Sequence, residues 1–514
     1  MDSRTRNTSR NIASGMINRA VAILFPFINR TAILWLLGVE FVGLSSLFAS
    51  ILQVLSISEL GFNTAVVYCL YEPIANHDQK AINQLLSMLK KIYHIVGTVI
   101  IFIGLILLPF IRFLIRGNYP KSICLPYLFL LYLINSGISY YLFAYKETIL
   151  IADQREDIAN NIHTIVRIGV SIIQLAVLLM FRNYYLYYTV TICGTVISNA
   201  LIARETQKRY PFLCDVPGKQ EIPANIRKQV GGLLINRICD TFRNSFDSLI
   251  ISSTIGLAAT GIYGNYYYIY SALYGIMLVV CNSMRASVGN SIVKKTVDEN
   301  FADMRKFSFL FAYILGVCAV CLLCLYQPFM RLWAGQELML RESDMVLFCV
   351  YFYVINMNNI RNQYISGTGI WWHMKLFYIL EAFGNLGLNV ILGKLFGITG
   401  VITATIITIF LFNYLSRNHI LFREYFGIDK KKAFYLEQLE YAAVTVAAAI
   451  FVYMLCNLLP DTGMLSLLIK GICSFVLAGT LMLGVFRLFP QYRYACATVS
   501  SVLSLIKMKS NMRR

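Results

Sequence analysis

Two Asn-Arg pairs sit inside an otherwise apolar stretch, INRAVAILFPFINRT, residues 17–31. A guanidinium is a planar, permanently charged fork that reads carboxylates and phosphates bidentately. Arg19 and Arg30 are eleven residues apart, so a helix returns them to one face roughly 16 Å apart along its axis. A charge at the bilayer centre costs at least ~2.5 kcal/mol, and membrane arginines therefore face a bundle interior or a wet cavity. A second stretch, INRICDTFRNSFDS, places Asn236, Asp240, Arg243 and Asp247 at i, i+4, i+7 and i+11, a single stripe. Asn29 and Arg237 complete this set of candidate binding groups. Two structural readings stand beside the functional one. The arginines can snorkel to headgroups, and Asp240 can pair with Arg243 or Arg237 along its own helix.

Further polar stripes follow at helical spacing: Ser56, Glu59 and Asn63; Asn356, Asn359 and Gln363, with Asn358 and Arg361; and Glu381, Asn385 and Asn389. Such residues either line a hydrated path or hold helices together through amide hydrogen bonds. The segment YGNYYYIYSALY offers Asn265, Tyr266, Tyr270 and Tyr274, either as faces for sugar rings or as an interfacial tyrosine belt. Pro26 removes a backbone hydrogen bond midway between Arg19 and Arg30 and predicts a kink. Trp371 and Trp372 read as an interfacial anchor. Cys318, Cys321 and Cys324 in CAVCLLC lack the further ligands and polar surroundings that a metal needs. No metal site, catalytic group or resident cofactor is expected.

The elements that must position these groups are membrane helices. The chain has 514 residues, 58% hydrophobic and 14% charged, with a mean hydropathy of +0.63, far from soluble composition. Apolar runs long enough to span hydrocarbon recur throughout and predict about fourteen transmembrane helices. The net charge of +19 resides mainly in alternate loops and the tail, which by the positive-inside rule puts both termini in the cytoplasm. That distribution assigns the charge to orientation and anionic lipid rather than to nucleic acid. No cleaved signal is expected, because the first apolar run carries arginines and lacks a small-residue cleavage site.

An internal repeat organises the helices. Ile17-Asn18-Arg19 recurs as Ile235-Asn236-Arg237, 218 residues later, and at the same offset Gly38 maps to Gly256 and Gly43 to Gly261. Six helices per copy makes the copies parallel, with substrate expected between them. The reading is an all-α polytopic protein of two six-helix lobes around a central cavity plus two C-terminal helices. Residues 1–210 form the N-lobe, 211–430 the linker and C-lobe, and 431–514 the last two helices and a basic cytoplasmic tail.

The segment GVEFVGLSSLFASILQVLSISELGFNTAVVYCLYEP resembles the second-helix region of Wzx-type polysaccharide flippases. These belong to the multidrug/oligosaccharidyl-lipid/polysaccharide (MOP) exporter superfamily. Gly38, Glu40, Gly43, Leu44, Glu59, Leu60, Gly61, Leu70, Tyr71 and Pro73 carry the likeness. The resemblance implies translocation of undecaprenyl-diphosphate-linked oligosaccharide across the bacterial cytoplasmic membrane, for capsule, O-antigen or exopolysaccharide assembly. It also implies a cationic cavity for which Arg19, Arg30, Arg237 and Arg243 are the candidates; Asp240 and Asp247 beside those arginines either tune the cavity toward neutral or amino sugars or provide H⁺ or Na⁺ coupling. The implied partners are membrane lipid, a polysaccharide polymerase and chain-length machinery. Pseudo-symmetry lets one chain form the path, so a monomer is expected. Two other readings compete. A cation-coupled multidrug antiporter on the same fold needs a dominant membrane acid such as Glu59, Asp240 or Asp247. A membrane polymerase, ligase or glycosyltransferase needs substantial outer loops, and those here are short. No phosphate-cradling loop points to ATP hydrolysis, and no filter motif points to a channel.

Overall fold

A computed structural model describes residues 2–56, 62–215, 224–460 and 463–492. All regular secondary structure among them is helical. Contacts divide the chain into two compact units, Met1–Gly264 and Asn265–Arg514. The first contains α1 (Asp2–Leu36), α2 (Val39–Leu55), α3 (Phe62–Ala75), α4 (Gln79–Leu107), α5 (Leu125–Tyr141), α6 (Glu147–Ala152), α7 (Glu156–Phe181), α8 (Tyr184–Arg209) and α9 (Ala224–Thr254). It ends in the first turns of α10 (Leu257–Ser283). The second holds the rest of α10, then α11 (Arg285–Lys294), α12 (Val297–Trp333), α13 (Glu342–Asn356), α14 (Asn359–Thr368) and α15 (Lys375–Phe396). There follow α16 (Ile398–Thr408), α17 (Arg417–Leu421), α18 (Lys431–Cys456) and α19 (Gly463–Phe486).

Among the described residues ten helices are long and apolar enough to cross a membrane. The number becomes eleven if α5 and the bent segment Ala144–Ala152, turned by 43°, count as one span. The apolar runs 42–71, 231–254 and 345–366, each expected from the sequence as one span, account for most of the difference from fourteen. The expected 42–71 span is divided into α2 and α3 by residues outside the described set. The expected 345–366 span breaks at Met357 and Asn358 into α13 and α14. The helix α9 is long, but its charged stripe keeps it from the ten.

The repeat is written into the helix boundaries. The helices α1 and α9 end at Leu36 and Thr254, α2 and α10 begin at Val39 and Leu257, and α4 and α12 begin at Gln79 and Val297. Each pair keeps the 218-residue offset. Asp78 and Thr296, again at that offset, both cap their helices by accepting a backbone N–H, from Ala81 and Glu299, satisfying one orphan donor of the first turn. Gly38 and Gly256 turn the chain between paired helices with φ of +107° and +135°, a region that side-chain-bearing residues rarely enter.

The next glycine pair fixes a close approach. A Cβ at position 43 would lie 2.1 Å from the Leu257 carbonyl oxygen, and one at 261 would lie 2.4 Å from the Val39 carbonyl oxygen. Leu257 is the repeat counterpart of Val39, so the two contacts exchange under the repeat. The first turns of α2 and α10 thus meet in a self-complementary pair, with small residues bringing backbones together.

The first unit's core is built by α3, α4 and α5 around Leu70, Leu89, Val96 and Ile100. The chain leaving α8 is tied down beside it. Tyr210 donates to Asp153 Oδ2 at 2.6 Å, Asn83 donates to the Phe212 carbonyl at 2.9 Å, and Lys90 meets Asp215. Burial, with the Asp153 carboxylate, raises the Tyr210 hydroxyl above the ordinary phenol range. In the second unit α12 packs between α18 and α19 around Phe309, Val320, Tyr441, Val452 and Met482.

Gly43→Val and Gly261→Val should each destabilise the protein by about 1–3 kcal/mol or more, because a backbone oxygen cannot rotate away. Gly387→Ala, with no neighbour within 4 Å of the added carbon, should be neutral. Melting of the purified protein checks this, and melting curves for Gly43→Val that match wild type would refute the close approach.

Candidate functional site

In the first unit the candidate groups converge on α2, which packs against both α1 and α9. Asn29 of α1 is buried and donates to Gln174 Oε1 of α7 at 2.8 Å. Arg30 is half-buried and lies across the backbone of α10. A Cβ at Gly264 would meet its Nη2 at 2.7 Å and Ser46 Oγ of α2 at 2.8 Å. Only glycine at 264 leaves the guanidinium that path. On α9, Arg243 is buried and sits 3.2 Å from Asp240 Oδ1 at i, i+3, so the anticipated intrahelical pair forms. Asp247 is buried and accepts from Tyr263 at 2.7 Å, and Ser245 donates to Gln53 of α2 at 3.1 Å. Asn236 is buried, whereas Arg19 and Arg237, equivalent in the repeat, are both exposed. Asn63 accepts from Thr148 at 2.9 Å. Glu59 lies outside the described residues.

In the second unit the candidates form a connected interior network. Glu381 of α15 is buried against Arg417 of α17 as an ion pair. Asn413 donates weakly to Glu381 at 3.4 Å and accepts from Arg361 of α14 at 2.7 Å. Arg361, 2% exposed, also donates to the Tyr414 carbonyl at 3.3 Å, and no carboxylate among the described residues pairs with it. Arg417 stands 4.1 Å from the Tyr378 ring centroid, a cation–π arrangement. Asn413 and Tyr414 belong to a π-helical stretch, Ile409–Ser416, whose wider turn re-aims side chains and recurs at functional sites. Asn385 donates to Thr405 and Thr408 of α16 at 3.0 and 3.3 Å, and Asn389 donates to Asn385 at 3.0 Å. Asn359 donates to Asn356 at 2.9 Å. Asn265 is fully buried.

The tyrosines of α10 are placed by packing. Tyr266 and Tyr270 are buried. Tyr266 donates to Gln327 at 2.5 Å and Tyr270 stacks on Tyr351 at 4.5 Å. Neither is part of an interfacial belt, because α12 and α13 cover that face of α10.

Several polar groups were missed in the sequence. Arg417 and Asn413 are hidden in NYLSRN, at the end of an apolar run whose π turn no 3.6-residue pattern anticipates. The α7 stripe Asn160, His163, Arg167, Ser171 and Gln174 was legible at i, i+3, i+4 spacing, yet the apolar residues between its members let the segment read simply as a membrane span.

No protein-family model matches the chain, and no curated protein matches it in sequence. Solved structures do match. "Lipid II flippase MurJ, inward closed conformation" superposes with a TM-score of 0.67 at 12% identity, covering 93% of this chain and 98% of that one. The chain has the MOP transporter fold. An inward-facing multidrug resistance MATE family transporter of the MOP superfamily gives a TM-score of 0.59 at 12% identity, covering 76% of this chain and 94% of its own. The MATE multidrug transporter DinF-BH in complex with R6G gives 0.59 at 16% identity, with 81% and 95% covered. On this MOP fold the polar groups above lie inside a multi-pass membrane protein, where each buried charge must find its partner within the protein.

Glu381→Leu strands the Arg417 charge and should cost about 3–5 kcal/mol, whereas Glu381→Leu with Arg417→Leu should recover much of it. Thermal unfolding of the purified single and double variants measures both. Equal melting of the two would show that the pair does not hold this interior together.

Proposed function

We propose that the protein is a flippase that moves undecaprenyl-diphosphate-linked oligosaccharide units from the cytoplasmic to the outer leaflet of the bacterial cytoplasmic membrane by alternating access. The product feeds capsule, O-antigen or exopolysaccharide assembly, in company with a polymerase and chain-length machinery. The observation that carries this reading is the extent of the fold match. A lipid flippase accounts for 93% of the chain, whereas the two multidrug transporters account for 76% and 81%.

The interior chemistry agrees. Among the described residues no carboxylate pairs with Arg361, and Arg30 crosses a glycine next to tyrosine and serine hydroxyls. Guanidinium groups suit a diphosphate, and the surrounding amides suit sugar hydroxyls. An antiporter on the same fold would rely on a membrane acid free to exchange its cation. Among the described membrane acids, Asp240 is engaged by Arg243, Asp247 by Tyr263, and Glu381 by Arg417 and Asn413, while Glu59 lies outside the described residues.

Deleting the gene should trap undecaprenyl-linked units on the cytoplasmic face. Wild type should restore the outer-leaflet pool, and Arg30→Ala should restore it at least tenfold less well. Leaflet labelling with a membrane-impermeant sugar reagent reads the distribution. A normal distribution with altered export of cationic drugs would establish the antiporter instead, and outward-facing unpolymerised units would establish an enzyme.

A further inference from the structure

Within the first unit, α1, α7 and α8 line an open-sided pocket of about 460 Å³ that also touches α2 and α5. Its position is the first unusual feature. His163 lies seven residues from one end of α7 and Gln174 seven from the other, so the pocket begins about two turns in from either end of a membrane-length helix. The lining is the second. Only Pro26, Val166, Val170 and Gly194 contribute no polar side-chain atom. Hydroxyls and amides at that depth have no lipid partners and must meet one another, water or a polar ligand. The volume is far beyond one water's ~30 Å³ and within the roughly 300–1,000 Å³ of small-molecule sites.

The pocket is organised rather than loosely packed. Gln174 accepts from Asn29 and donates to Thr191, both at 2.8 Å, which fixes one end. His163 is held between Ser198 at 2.9 Å and Glu147 at 3.3 Å. Tyr132 and Tyr188 stack with centroids 3.6 Å apart and form an aromatic wall. Arg167 differs from all of these. It is half-buried, and among the described residues its one hydrogen-bond partner is the neutral Asn18 Oδ1 at 3.0 Å. A permanent cation at membrane depth, with one neutral partner and an adjoining polar pocket, is arranged for an anion. An aromatic wall beside hydroxyls and amides suits a ring with an apolar face and polar edges.

We propose that this pocket is a subsite for one acidic sugar, a hydroxyl-rich ring whose carboxylate is held by Arg167, as a unit of the translocated glycan. The assignment of the ring to that glycan rests on the flippase reading; the binding chemistry itself does not. A lipid tail or hydrophobic drug would offer the Arg167 guanidinium no counter-charge.

The test uses the full chain, purified, with methyl β-D-glucuronide and its neutral analogue methyl β-D-glucoside as probes. Saturation-transfer NMR titration should show the glucuronide binding at least tenfold more tightly than the glucoside. Arg167→Gln should abolish that preference, Arg167→Lys should retain part of it, and Lys121→Gln on an exposed loop should leave it unchanged. No binding of either probe, or equal binding by wild type, would overturn the subsite without requiring any variant to fold. In proteoliposomes, excess glucuronide should slow translocation of lipid-linked units. Binding without slowing would overturn its place on the path. Binding without any translocation would remove the flippase reading and leave the pocket standing.

Discussion

Hydrocarbon provides no hydrogen bonds, and the interior of this protein is arranged around that fact. Among the described residues, Asp240 and Arg243 pair along one helix, Asp247, Arg361, Glu381 and Arg417 find partners on other helical segments, and Arg30 and Arg167 stay half-buried. Glu381 and Arg417 neutralise one another inside the second unit. Asn413 then passes hydrogen bonding on to Arg361, which has no counter-charge among the described residues. The energetic consequence is asymmetric. Such a network adds little net stability when complete, and breaking one member leaves a buried charge exposed to the full desolvation penalty. Groups of this kind constrain helix register more than they strengthen it.

The repeat supplies the scaffold on which those groups are held. Helix ends, N-caps and left-handed glycines recur at a fixed offset, yet the polar contents of the two copies differ. Where α1 carries Asn29 and Arg30, α9 carries a self-compensating Asp240–Arg243 pair and a tyrosine-bound Asp247. The Gly43 and Gly261 contacts mark where the copies remain alike, because backbone-to-backbone approach tolerates no side chain in either.

Much of this was legible before any coordinates. The apolar runs gave a polytopic helical protein, and the glycine and Ile-Asn-Arg matches gave the repeat to the residue. The spacing along α9 gave the Asp240–Arg243 pair. Helix count was less legible, because length and hydropathy cannot locate breaks such as Met357-Asn358. The tyrosines of α10 were ambiguous because aromatic residues with polar tips look the same in a packed interior, a belt and a sugar site.

Local pattern by itself determined the membrane class, the helix stripes and the repeat, since these depend on residues close in sequence or on a constant offset. Only the tertiary structure decided which polar groups meet. Arg167 faces Asn18 across 149 positions, and Asn29 meets Gln174 across 145. The π turn that aims Asn413 at Arg361 follows no 3.6-residue pattern. The physical reason is the same in each case. Partners for buried polar groups are chosen by helix packing, and packing joins segments whose separation in the chain carries no periodic signal.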